Sequence, residues 1–136
     1  MEDLYTVEGV VKTVYDRPCR TIYVTWETFI GHRHLRPSIE AQVAHVRDHG
    51  ARFVVVDVSG AKGVPSDEDQ AWFAETVFPQ YKTHGLAALV TVLPKSAITK
   101  LGASRWNRSA SGFGFELAEV ASLDDARALI AEKKAA

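Results

Sequence analysis

Arg52-Phe53-Val54-Val55-Val56-Asp57-Val58-Ser59-Gly60 is the stretch whose reading decides the fold. The run is apolar on both alternating faces, as in an interior strand covered by helices on both sides or set deep within a sheet. Gly60 and Gly63 mark a loop from Ser59 to Pro65, and Ser66-Asp67-Glu68-Asp69 then opens a helix. Ser66 has the side chain of a good N-cap. Asp69 occupies the reciprocal position of a shortened capping box, and the acids complement the helix dipole.

Towards the N-terminus, Leu35, Ile39, Val43 and Val46 recur at spacings of four, four and three, one face of a helix. Pro37 suits its first turn and Gly50 its C′ position. Before it, Thr21 to Glu27 alternates as a strand, Asp16 to Arg20 is a turn containing Pro18, and Tyr5 to Tyr15 reads as one strand at period two. Gly9 marks a bulge or bend in that strand. Together these make an antiparallel hairpin.

Towards the C-terminus, Phe73, Val77 and Tyr81 continue the helix opened at Ser66, and Pro79 must kink it or start a second one. Leu86 to Leu93 is a second apolar strand, followed by a helix from Ser96 to about Trp106 and a loop from Ser109 to Gly112. Phe113 to Val120 reads as the last strand, and Ser122 caps a final helix with Leu123, Ala126, Leu129 and Ile130 inward. The predicted order is β-β-α-β-α-β-α-β-α in one domain spanning 1–136. Alternating strands and helices imply a mixed sheet, mainly parallel, with an N-terminal antiparallel hairpin.

Composition narrows the function classes. A net charge of -1 offers no global attraction to nucleic acid or to a membrane. Cys19 is the one cysteine, so an internal disulfide is impossible, which suits a reducing compartment. The stretch MEDLYTVEGV is acidic where a signal peptide is basic, and no run approaches the ~20 apolar residues that span a bilayer. The expectation is a cytoplasmic protein without membrane insertion.

Val55-Val56-Asp57-Val58-Ser59-Gly60, with its loop and the helix opening at Ser66, resembles the central segment of STAS domains, the sulfate-transporter and anti-sigma-factor-antagonist class. The closer likeness is to small stand-alone bacterial proteins of the SpoIIAA-like (STAS/SEC14-like) group. Val24-Thr25-Trp26, the run Ser66 to Trp72, Val77-Phe78-Pro79 and the segment Ser122 to Arg127 carry it. The resemblance implies a mixed sheet with helices packed on it and partner switching through serine phosphorylation at the start of the helix after the central strand. Ser66 falls at about that place. The family's usual Asp-Ser-Ser/Thr-Gly run is absent, and a phosphate on Ser66 would meet three carboxylates, so a plain N-cap is the competing role.

Other candidates compete with simpler roles. Asp57 and Ser59 end an interior strand, where α/β sheets commonly place ligands, yet no Gly-x-Ser-x-Gly elbow surrounds Ser59, and Asp57 equally suits a turn brace. His45 and His49 have the i, i+4 spacing of two metal ligands without a third, so a solvated helix end is expected and no metal or other cofactor is assigned. His32 and His34 flank Arg33 in a loop with no clearer role. Lys95, Lys100, Arg105 and Arg108 form a basic run facing an anionic ligand or the acidic helix of a second copy in a homodimer, or simply a solvated face. Trp72, Phe73, Phe78, Tyr81 and Trp106 are core, an interface, or the wall of an apolar pocket. Three functions follow. The first is a non-enzymatic binding or regulatory domain acting through a protein partner. The second is a carrier or sensor of an apolar or lipid-like ligand, and the third an enzyme using Asp57, Ser59 or a histidine.

Overall fold

The computed structural model describes residues 1–29, 34–94 and 114–135. Along them run β1 (Glu2–Val7), β2 (Val11–Asp16), β3 (Thr21–Trp26), α1 (Leu35–His49), β4 (Phe53–Asp57), α2 (Asp67–Trp72), a π-helical turn (Phe73–Val77), α3 (Phe78–Thr83), β5 (Ala88–Val92), β6 (Glu116–Val120) and α4 (Leu123–Ala135). The six strands form one sheet in chain order, β1 to β6. The pairs β1–β2 and β2–β3 are antiparallel, and β3–β4, β4–β5 and β5–β6 are parallel. The chain is therefore α/β with a mixed sheet, and β4 is interior as its sequence predicts. The helix expected from Ser96 to Trp106 lies outside the described residues.

The antiparallel part departs from the expected hairpin, because Tyr5 to Tyr15 is two strands and not one. The chain reverses at Glu8–Val10: Gly9 takes φ 78°, and the Val10 N–H donates to the Val7 carbonyl at 2.9 Å. Periodicity hides this reversal. Val7 pairs with Val11 and Tyr5 with Thr13, and side chains directly opposite each other share a face. A three-residue turn thus carries the alternation through unchanged. The sheet begins as a three-stranded meander.

The second turn is fixed from outside. Pro18 follows Arg17, whose carbonyl accepts the Arg20 N–H at 3.1 Å, and Arg20 takes the left-handed φ of 52°. That conformation is disfavoured for a side chain with a Cβ. The Arg20 carbonyl accepts the N–H groups of Arg52 at 2.8 Å and Phe53 at 3.2 Å, which ties the turn to the start of β4.

Alternation along β4 splits its side chains between two cores. Val54 and Val56 pack with Ile22, Val24, Trp26 and Leu89 against α1, the π turn and α3. Phe53 and Val55 pack with Ala88, Val90 and Val92 against Ala126 and Ile130 of α4. On β2, Val11, Thr13 and Tyr15 are buried on the α1 side, while Lys12 is exposed. The parallel half is covered on both faces, and β2 is buried on one.

Helix ends follow local chemistry. Gly50 closes α1 with φ 70° and an N–H donated to the Val46 carbonyl. The Asp125 N–H donates to Ser122 Oγ at 3.1 Å, which makes Ser122 the cap of α4 as predicted. Pro79 has no N–H to continue the ladder. The chain answers with one wide turn, in which the Phe78 N–H reaches the Phe73 carbonyl, five residues back, and α3 restarts there with proline in its first turn. The expected kink is a π bulge.

Candidate functional site

Parallel strands β3 to β5 end on the same side, and the chain after β3 leads to α1 and the loop after β4 to α2. Thr28 and Lys62 form a parallel bridge there; Phe29 N–H donates to the Lys62 carbonyl at 2.9 Å and Lys62 N–H to the Glu27 carbonyl at 3.1 Å. Phe29 also packs on Trp26, ring centroids 4.8 Å apart. The loop after β3 thus straps down the loop after β4. Because strand order follows chain order, the described strands contain no reversal of the kind that opens a ligand crevice in doubly wound sheets.

Asp57 and Ser59 come together in this strapped loop. One carboxylate oxygen, Asp57 Oδ1, accepts both the Ser59 N–H at 2.9 Å and the Ser59 hydroxyl at 2.6 Å. That geometry braces a turn. A nucleophilic serine needs a base poised to take its proton and donors for an oxyanion. The described contacts of Ser59 provide the turn brace alone.

Ser66 is exposed, and its Oγ accepts the Asp69 N–H at 3.1 Å, the geometry of an N-cap. The Pro65 carbonyl is taken by Gln70 Nε2 at 2.9 Å, so this helix start is held twice. The Asp69 carboxylate turns to Arg36, one residue into α1: Oδ1 accepts Arg36 Nε at 3.2 Å. Its other oxygen, Oδ2, is buried without a hydrogen-bond partner among the described residues. Arg36 also lies 3.7 Å from Glu68 and stacks over the Trp72 ring, 5.0 Å from its centroid. The side chain of Asp69 is 2% exposed and that of Arg36 42%, so the arginine joins a hidden acid to solvent. Sequence reading missed Arg36, since nothing local marks a second helical residue as the partner of an acid 33 positions later.

A second polar group lies along the buried face of α1. Ser38 Oγ and Thr13 Oγ1 are 3.5 Å apart, and the Tyr81 hydroxyl donates to Gln42 Oε1 at 3.2 Å. Burial pushes the Tyr81 phenol well above its ordinary range. His45, expected on a solvated face with His49, is instead buried, and only His49 is exposed. The packing of its ring edge-on against Tyr15 of β2 accounts for the difference. Burial is also the main cause that lowers the His45 pKa, and His49 adds to it. The two rings stack at 25°, and no group of three or more His, Cys, Asp or Glu that could hold a metal occurs among the described residues.

Of the aromatic set, Phe73, Phe78 and Tyr81 are buried and Trp72 is partly so. Phe73 stacks on Phe78 at 5.9 Å, and Phe115 meets Phe78 and Tyr81 edge-on at 5.9 and 6.2 Å. Trp106 and the basic run Lys95, Lys100, Arg105 and Arg108 lie outside the described residues, as do His32 and Arg33. His34 directly precedes α1 and makes no side-chain cap to it. No described helix is long and apolar enough to cross a membrane. Compared with known proteins, the chain matches no family model, no curated protein and no solved structure.

Proposed function

We propose that this chain is a non-enzymatic regulatory domain of STAS-like fold that acts through a protein partner, with Ser66 as its point of control. The mixed sheet with helices packed on it agrees with what the resemblance implies for the fold. Support for the control point comes from the relay of contacts Ser66–Asp69–Arg36–Trp72. An exposed hydroxyl caps the residue whose buried carboxylate holds Arg36, and Arg36 covers a partly buried tryptophan. A phosphate on Ser66 adds up to two negative charges beside Asp67, Glu68 and Asp69. It competes with Asp69 for the guanidinium, and a displaced Arg36 uncovers Trp72. The partner then meets a different surface in charge and in apolar character.

The buried stacking of Phe73 on Phe78, with Phe115 edge-on to both Phe78 and Tyr81, favours this reading over an apolar carrier. Likewise, the turn brace of Asp57 and Ser59 favours it over an enzyme. The test compares the proteins retained by immobilised chains carrying Ser66→Ala and Ser66→Asp. Partner binding that differs between the two supports the proposal, and identical binding overturns it. Indole fluorescence, compared with that of a Trp72→Phe counterpart to isolate this residue among the three tryptophans, supplies the local readout, with the Trp72 contribution expected to shift in Ser66→Asp alone.

A further inference from the structure

His45 is the buried polar residue of α1 whose ring nitrogen has no counterpart. The residue is 8% exposed, and Nε2 is buried with no hydrogen-bond partner among the described residues. The ring packs edge-on against Tyr15 of β2, centroids 4.1 Å apart at 65°, and stacks on His49 at 4.3 Å. Charged groups face it from each neighbouring element. Glu2 comes from β1, Arg17 from the turn between β2 and β3, and Asp48 and His49 from α1 itself. On the α3 side, Tyr81 is bound to Gln42, and the charge of His84 acts on Asp48. Arg17 Nε donates to Glu2 Oε1 at 3.0 Å, and its guanidinium lies 6.0 Å from the Tyr15 ring.

Two features make this corner separable from the rest of the sheet. The β1–β2 register shifts between Asp3 and Tyr5, so Glu2 and Asp3 pair beyond an irregularity. Gly50 ends α1 one residue past His49. The stack therefore lies between the last turn of α1 and Tyr15 of β2, the residue that pairs with Glu2 at the irregular end of β1.

A neutral imidazole suits this place, because Tyr15 and His49 meet it through their rings and not through a hydrogen bond. An imidazolium carries N–H donors on both nitrogens, and the buried Nε2 has no hydrogen-bond partner among the described residues. Two stacked imidazoliums also repel each other. We propose that the His45–His49 stack is an acid-sensitive latch: neutral, it fastens the last turn of α1 to Tyr15 of β2, on which the end of β1 pairs, and protonated, it releases both. The sign follows from linkage. Burial depresses the histidine's pKa when the latch is closed, so the open form binds the proton more tightly. Closure is complete above the ordinary histidine pKa of about 6.5 and weakens as pH falls below it. Glu2 and Asp48 act against opening, Arg17 and His49 for it. What opens is the outer edge of β2, a row of backbone groups able to pair with another strand.

The test is amide hydrogen exchange, corrected for intrinsic rates, at about pH 7.5 and about pH 5 on the full chain and on His45→Phe. In the natural sequence, amides of β1 and of the last turn of α1 lose about tenfold more protection on acidification than those of β4. In His45→Phe, where the ring contacts persist without a titrating group, that excess disappears. An equal acid response in both proteins overturns the latch, as does no response in the natural sequence. Should the variant fail to fold, an NMR titration of the natural histidines decides. His45 titrating below about 6.5 in step with the amide loss supports the latch, and any other pairing overturns it.

Discussion

β4 and the inner face of α1 are both hidden from water, yet they satisfy burial in opposite ways. β4 places Val54, Val55 and Val56 in two apolar cores and leaves its polar groups to the backbone ladder. The inner face of α1 buries Ser38, Gln42 and His45 beside Leu35, Ile39, Val43 and Val46. Each polar side chain there needs a partner, and His45 Nε2 has none among the described residues. Burial without polar groups gives rigidity that is insensitive to conditions. Burial with them creates positions where one proton or one methyl group decides the local stability.

Placing a charge in β4 tests the first half of that contrast most severely. Val55→Asp buries a carboxylate between β5 and α4, where valine is 1% exposed. The expected loss exceeds about 4 kcal/mol, enough to abolish cooperative urea unfolding in a marginal domain. A loss below about 1 kcal/mol would show that this face of β4 is open to water.

The polar face answers to a subtler change. Tyr81→Phe leaves Gln42 without its bonded partner and is expected to cost about 1–3 kcal/mol. Gln42→Leu alone strands the Tyr81 hydroxyl and costs a similar amount. The double variant removes both polar groups and is expected to recover much of the loss, giving a coupling of at least about 0.5 kcal/mol in a thermodynamic cycle. Simple additivity would mean that the two side chains do not depend on each other.

These two regions also mark how far sequence carries. The valine run, the apolar stripe of α1, Gly50 and the Ser66 and Ser122 caps were legible because each rests on neighbours within a few residues. Glu8–Val10 was not, since a three-residue reversal leaves the alternation of Tyr5, Val7, Val11, Thr13 and Tyr15 in phase. His45 was not, because burial of a polar residue beside an apolar stripe depends on how wide a face the neighbouring elements cover. At the candidate site the Ser66 cap was legible, whereas Arg36 over Trp72 depends on two helices meeting. The turn brace at Asp57 and Ser59 was one of two readings, and the hydrogen bonds separate them.

Backbone strain gives an intermediate effect at the far end of α1. A Cβ at Gly50 meets nothing within 4 Å, so Gly50→Ala isolates the penalty of φ 70° for an L-residue, about 1–2 kcal/mol. The loss should appear in thermal unfolding with little change in the aromatic circular dichroism, because no core contact is removed. A perturbed aromatic signal would place the last turn of α1 in control of the Tyr15–His45 packing.

The smallest effects belong to the helix caps, and they decide how the proposed control point can be probed. Ser66 and Ser122 each accept one N–H three residues on, at 3.1 Å in both cases. Ser66→Ala and Ser122→Ala should therefore cost similar amounts, about 1 kcal/mol each in urea unfolding. Ser66→Asp keeps an oxygen acceptor at the cap, and aspartate is as good an N-cap as serine. Its added charge is favoured by the helix dipole and opposed by Asp67, Glu68 and Asp69, so its stability should stay within about 0.5 kcal/mol of the natural chain. A partner response to Ser66→Asp then reports charge and not unfolding. If Ser66→Asp instead destabilises more than Ser66→Ala, repulsion among the acids outweighs capping.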